Sequence, residues 1–196
     1  MRRGLRSPTL TTLAVLLVVF CFQSVATEFG VGRNLFSLSL PLDRHPWTVV
    51  TTVYAHDSLT HLAVNALGVA ILGVGIEQVT TPRRFHAFFL GTGVLAALTE
   101  VTVWGLLGER VAVVGASGAV LALFGYAMVG NPLSRTLLTR LGLGPRGESV
   151  LFVGLAALIT LVAAAPRVAL VAHFTGLLLG ILAGRTHLLR PGRAPA

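Results

Sequence analysis

The sequence predicts an all-α membrane protein: one domain over residues 1–196, built of six transmembrane helices with both termini in the cytoplasm. Three observations predict it. Composition comes first, with 54% hydrophobic and only 11% charged residues and a mean hydropathy of +0.83, whereas about a quarter of a soluble domain is charged. Second, the apolar residues gather into six blocks of roughly membrane-spanning length. Third, basic residues alternate between the two sides of those blocks.

Arg2, Arg3 and Arg6 precede the first span, Thr9 to Ala26, and hold the N-terminus inside. The same stretch also resembles a cleavable signal peptide, through its basic start, the run Leu10 to Phe22 and the small residues Ser24 to Ala26. Either fate leaves the later spans in one orientation. The outer connection, residues 27–58, carries Phe29, Phe36, Trp47 and Tyr54 among Pro41 and Pro46, which suits the headgroup level. The second span is Leu59 to Val79, and Arg83 and Arg84 lead into the third, Phe85 to Leu107. Arg110 marks an outer turn before the fourth, Val111 to Gly130. Asn131 to Ser149, rich in Gly, Pro and Arg, reads as a cytoplasmic turn. The fifth span, Val150 to Ala165, and the sixth, Val168 to Leu182, flank Arg167.

All fifteen basic residues are Arg; eleven fall inside on this scheme, and Arg33, Arg44, Arg110 and Arg167 fall outside. That asymmetry is the positive-inside signature. It accounts for the formal charge of +8 and excludes nucleic-acid binding as its meaning. Arginine without lysine also points to a GC-rich prokaryotic genome, hence to a multi-pass protein of a prokaryotic plasma membrane. Cys21 is the only cysteine and lies within the first span, so no intramolecular disulfide or cysteine metal cluster can form.

Polar side chains inside a span are costly, and each is a functional-site hypothesis that usually faces the bundle interior. The second span has His61 and Asn65, the fourth Ser117, the sixth His173. Those three spans all run from outside to inside. His61, Ser117 and His173 each fall within about two turns of the outer surface, on the order of 10 Å deep. Three helices thus offer polar groups at one level. Asn65 lies four residues after His61, on the same face. Gly176 and Gly180 share a stripe with His173, and Gly115, Ala116, Gly118 and Ala119 surround Ser117. Small residues let membrane helices approach closely, near enough for the Ser117 hydroxyl to meet the His173 imidazole.

A serine hydroxyl needs a neighbouring base to become a nucleophile, and histidine titrates near neutrality. Acyl transfer also needs donors where charge develops on the carbonyl oxygen. The backbone N–H groups from Gly115 to Gly118, at a helix start, and the side chains of His61 and Asn65 are the candidates. No carboxylate stands where it would orient His173: Glu28, Asp43, Asp57 and Glu109 are outer, Glu77 and Glu148 inner, and Glu100 is in the third span. A dyad is expected, not a triad.

The segment His56-Asp-Ser-Leu-Thr-His61-Leu-Ala-Val-Asn65, then Gly115-Ala-Ser117-Gly118, then Ala172-His173-Phe-Thr-Gly176-Leu-Leu-Leu-Gly180 resembles the rhomboid proteases, in order and spacing over about residues 47 to 185. The resemblance implies a rhomboid-like six-helix bundle and an intramembrane serine endopeptidase. It implies that Ser117 forms an acyl-enzyme, that His173 is the base and that His61 and Asn65 help bind the oxyanion. Its substrates would be single-span membrane proteins cut near the outer leaflet, with the bilayer as surroundings and without metal, ATP or other cofactor. Glu77 matches a position the family uses for packing. Two places depart from the family's pattern: Thr48 follows Trp47 where an arginine is frequent, and Leu121 stands where an aromatic residue often stacks on the base.

Blander readings exist for each residue. A serine among Gly and Ala is ordinarily helix-packing glue, and His61 with Asn65 ordinarily bonds neighbouring helices. The pairing of Ser117 with His173 at equal depth is what favours chemistry. His56 is given no role, and His45, His86 and His187 read as interfacial. A metal on His56, His61 and His173 is not expected, because the His-Glu-x-x-His pattern is missing. The alternative function is a catalytically silent scaffold or substrate-binding protein of the same fold, which would ordinarily lose Ser117 or His173. A small transporter would show inverted repeats, and none is visible.

Overall fold

A computed structural model of the chain describes residues 7–130, 136, 138, 140–162 and 169–190. Its elements are α1 (Pro8–Glu28), a 3₁₀ turn (Arg33–Leu35), β1 (Leu38–Ser39), α2 (Thr48–Thr51), α3 (Leu59–Glu77) and α4 (Pro82–Leu106). They continue with β2 (Ala112–Val113), α5 (Ser117–Gly130), α6 (Gly144–Val162) and α7 (Leu170–Arg185). The N-terminal arginines, Arg135, Arg167, Arg193 and the junction of the fifth and sixth spans lie outside the described residues.

Three helices begin on local caps. The hydroxyl of Ser7 accepts from Leu10 N–H, that of Ser58 from His61 N–H and that of Thr81 from Arg84 N–H, with Pro8 and Pro82 opening α1 and α4. α1, α3 and α4 are long and apolar enough to cross a membrane; α5 and α7 are shorter apolar helices. Leu17, Val18 and Phe22 on α1 and Val64, Leu67 and Ile71 on α3 are each more than half exposed. In water such faces would be an aggregation hazard, whereas in hydrocarbon they are solvated.

The fourth helix corrects the hydropathy reading, since it begins at Ser117 and not at Val111. Ala112 and Val113 instead pair antiparallel with Ser39 and Leu38. Apolar content cannot tell a buried strand from a helix, and Gly115, at φ +122°, has a backbone that no helix accommodates. The connection before α6 is also shorter than expected, because the helix starts at Gly144. Residues 27–58 contain the 3₁₀ turn, β1 and α2.

α5 lies at the centre, packed against α3, α4 and α7. One core cluster joins Leu16, Val69, Phe85, Phe89 and Leu123 from α1, α3, α4 and α5. Between α5 and α7 the backbones touch. A Cβ on Gly176 would strike the Gly118 carbonyl, and one on Gly180 the Ala122 carbonyl. The expected small-residue stripe is thus a seam, and it continues to Gly184 beside the Tyr126 backbone. At the far end Glu77 ties α3 to α1, accepting from Ser7 Oγ at 2.6 Å and from Thr9 N–H at 3.2 Å.

Candidate active site

The site forms where α3, α5 and α7 begin. Ser117 is the first residue of α5, and its Oγ lies 2.9 Å from His173 Nε2, within hydrogen-bond reach. The α5–α7 seam explains the closeness: with Gly118 against Gly176, the two helices leave no room for anything between their first turns. For the hydroxyl to donate to Nε2, as a base requires, the neutral ring must carry its proton on Nδ1. Nδ1 is buried and has no partner among the described residues.

His61, Asn65, Ser117 and His173 together line a cavity of about 690 Å³, closed at one side by Ala112, Val113 and Val114. All four residues predicted from polarity and depth therefore meet. The His61 ring lies over Gly115, where a Cβ would come within 2.6 Å of Cε1 and 2.7 Å of Nε2. Asn65 is buried at 4% exposure and gives an Nδ2 hydrogen to the His61 carbonyl at 3.0 Å, which leaves its second amide hydrogen uncommitted among the described residues.

The backbone donors divide differently from expectation. Gly115 N–H is already spent on the Thr52 carbonyl at 2.9 Å, so Gly115 supplies room for His61 and not a donor. Thr52 also donates its hydroxyl to the Val113 carbonyl at 2.5 Å, stapling the strand that precedes Ser117. The first bond of α5 runs from Val120 N–H to the Ala116 carbonyl, which leaves Ser117, Gly118 and Ala119 N–H without partners in the helix itself. The α-carbon of Gly118 faces Ala96 of α4 in tight packing, so only its N–H serves the cavity.

Several side chains escaped sequence reasoning. Asp57 Oδ1 accepts from His61 Nδ1 at 2.8 Å, a pair whose four-residue spacing was readable. Burial is the largest influence on Asp57 and opposes its charge, but the bond to His61, the charge of that ring and hydrogen bonds from Ser58 and the backbone together outweigh it and hold the carboxyl below its ordinary range. His56, given no role, is 1% exposed and packs edge-on against His61 with ring centroids 5.0 Å apart. Burial first, and the neighbouring His61 second, push its pKa down to about 4. Glu100, set aside as a third-span residue that would not orient His173, reaches the backbone one residue away: its Oε2 accepts Ala172 N–H at 2.7 Å. Among the described residues no cluster of three potential metal ligands occurs.

A family model, the Rhomboid domain, matches residues 43–190. The chain belongs to the rhomboid family. It is 30% identical over 152 residues to RHOMBOID-like protein 5 of Arabidopsis thaliana, covering 74% of this chain and 45% of that protein. It is 27% identical over 146 residues to Rhomboid protease AarA of Providencia stuartii, covering 62% and 50%. Similarity extends to RHOMBOID-like protein 6, mitochondrial, of Arabidopsis thaliana, 28% identical over 145 residues with 74% and 45% covered. This rhomboid spans about half the length of these relatives. It is an integral membrane protein of helical-bundle architecture.

Both departures from the rhomboid pattern have a local fit. Thr48, in place of arginine, is 3% exposed and donates its hydroxyl to the His45 carbonyl at 2.6 Å, tying the first residue of α2 to the loop before it. Leu121 packs in the apolar cluster with Phe174. No aromatic ring stacks on His173 among the described residues.

Proposed function

We propose that this rhomboid is an intramembrane serine endopeptidase that cuts single-span membrane proteins near the outer leaflet, using Ser117 and His173 as a dyad. The observation that carries the reading is the 2.9 Å contact between Ser117 Oγ and His173 Nε2 at the wall of a cavity that His61 and Asn65 also line, inside an apolar bundle. A hydroxyl and an imidazole used only as packing glue would have no need of that cavity. The proposal includes six spans with both termini cytoplasmic, in a prokaryotic plasma membrane, over a single domain.

The chemistry follows from the geometry. Ser117 Oγ attacks the substrate carbonyl carbon while its proton passes to His173 Nε2. Charge then develops on the carbonyl oxygen, beside the free N–H groups of Ser117 and Gly118, the spare amide hydrogen of Asn65 and the His61 ring. Because His61 Nδ1 is engaged with Asp57, its Nε2 donates only when the ring is doubly protonated, and Asp57 then balances that charge. The C–N bond breaks, His173 returns the proton to the departing amine, and an acyl-enzyme remains. Water adds to the ester, gives a proton to His173, and Ser117 leaves with it. No metal or cofactor enters any step.

Expression in membranes with a single-span substrate bearing small, helix-breaking residues near its outer end tests this. Cleavage by wild type should fall by about 10⁴-fold or more in Ser117→Ala and in His173→Ala. Equal cleavage by the variants would leave the silent-scaffold reading.

A further inference from the structure

Glu100 is a carboxyl group inside an apolar helix, 4% exposed, which neither the dyad nor the oxyanion donors use. Such a group is costly to keep, and both its oxygens are committed. Oε1 accepts from the indole N–H of Trp104, one turn along α4, at 2.8 Å; Oε2 accepts from Ala172 N–H on α7 at 2.7 Å.

The second bond falls at a particular place. α7 starts from Ala169, which has no side-chain cap, unlike the Ser and Thr that start α1, α3 and α4. Ala172 is the third residue of the helix, the position whose N–H an N-cap side chain ordinarily takes. Glu100 performs that task from another helix. The first intrahelical bond of α7 is His173 N–H to the Ala169 carbonyl at 2.9 Å, so the base sits directly after the residue that Glu100 grips. With no ring stacked on His173 and no partner on its Nδ1 among the described residues, the imidazole is held by its Ser117 contact and by the backbone that carries it.

We infer that Glu100, oriented by Trp104, is a positioning residue that caps α7 in trans and thereby fixes the reach of His173 toward Ser117. The inference rests on the protease reading and deepens it. A purely structural α4–α7 tie would change how much protein folds; a positioning role changes how fast the folded protein acylates.

The experiment measures a fluorophosphonate reacting with the full chain in detergent micelles, resolved into the binding constant of the probe and the maximal acylation rate, with the folded fraction taken from end-point labelling. Glu100→Leu should lower the acylation rate of folded protein about 10- to 100-fold with probe binding unchanged, as a small misplacement of the base does. Glu100→Gln should fall between, because an amide cannot accept from both Trp104 and Ala172. Adding Trp104→Phe to it removes the competing indole, lets the Gln carbonyl keep Ala172, and should restore the rate to within about threefold of wild type. Wild-type acylation by folded Glu100→Leu, or no recovery in the Gln–Phe double variant, would overturn the positioning role alone. A wild-type protein that reacts nowhere at Ser117 would overturn the protease reading and this role with it.

Discussion

Two helix starts face each other across the cavity and are finished in opposite ways. α5 begins at Ser117 behind Ala116, a residue with no side-chain acceptor, and its first N–H groups stay open. α7 begins behind Ala169, equally unable to cap, yet its third N–H is taken by a carboxylate from α4. An open helix start is a small positive site able to receive an anion, while a closed one is a fixed support. On the protease reading, the difference teaches that the bundle leaves unpaired the backbone donors a reacting carbonyl would need and pairs those that would otherwise let the base drift.

On the proposed mechanism, removing His61 takes away a donor that faces the open end from α3. His61→Ala should lower kcat by about 10²- to 10³-fold, with the protein still folded, as judged by thermal unfolding in detergent. Closing the open end should work by a different route. Ala116→Ser offers α5 the cap it lacks, so stability should rise by up to about 1 kcal/mol while cleavage drops roughly 10-fold, because the new acceptor competes for the oxyanion donors.

Acid probes the support beneath His61. The buried His56 has a folded pKa of about 4, below the ordinary 6.5, so the unfolded chain binds more protons between those values. Its contribution to stability is therefore complete above about pH 6.5, fades as pH falls toward 4 and is gone below that. The loss is on the order of 3 kcal/mol, measurable as a falling unfolding midpoint. His56→Phe should flatten that fall. The smallest effect belongs to the closed end: Ala169→Ser adds a local cap where Glu100 already serves, so stability should shift by under about 1 kcal/mol and the cleavage rate should hold within twofold.

Much of this was legible in the residues. The depth of His61, Ser117 and His173 and the phase of Asn65 brought all four to one cavity, because a polar group in an apolar span has few places to go. Gly176 and Gly180 announced the seam for the same steric reason. The start of α5 was not legible, since Val111 to Val114 are as apolar as a helix and only the backbone of Gly115 ends the strand. Gly115 misled in another way: its N–H looked free by position, yet Thr52, distant in sequence, claims it. Glu100 was read only as a third-span carboxyl group that would not orient His173, because its partner is a backbone N–H seventy-two residues away, and no spacing rule reaches that far.

The most direct measurement is peptide mapping of the fluorophosphonate adduct on the purified native chain. The account predicts that the adduct is carried by Ser117 alone, lost in His173→Ala and lost on unfolding. Adduct on any other serine, or on Ser117 at the same rate with His173 removed, would contradict it.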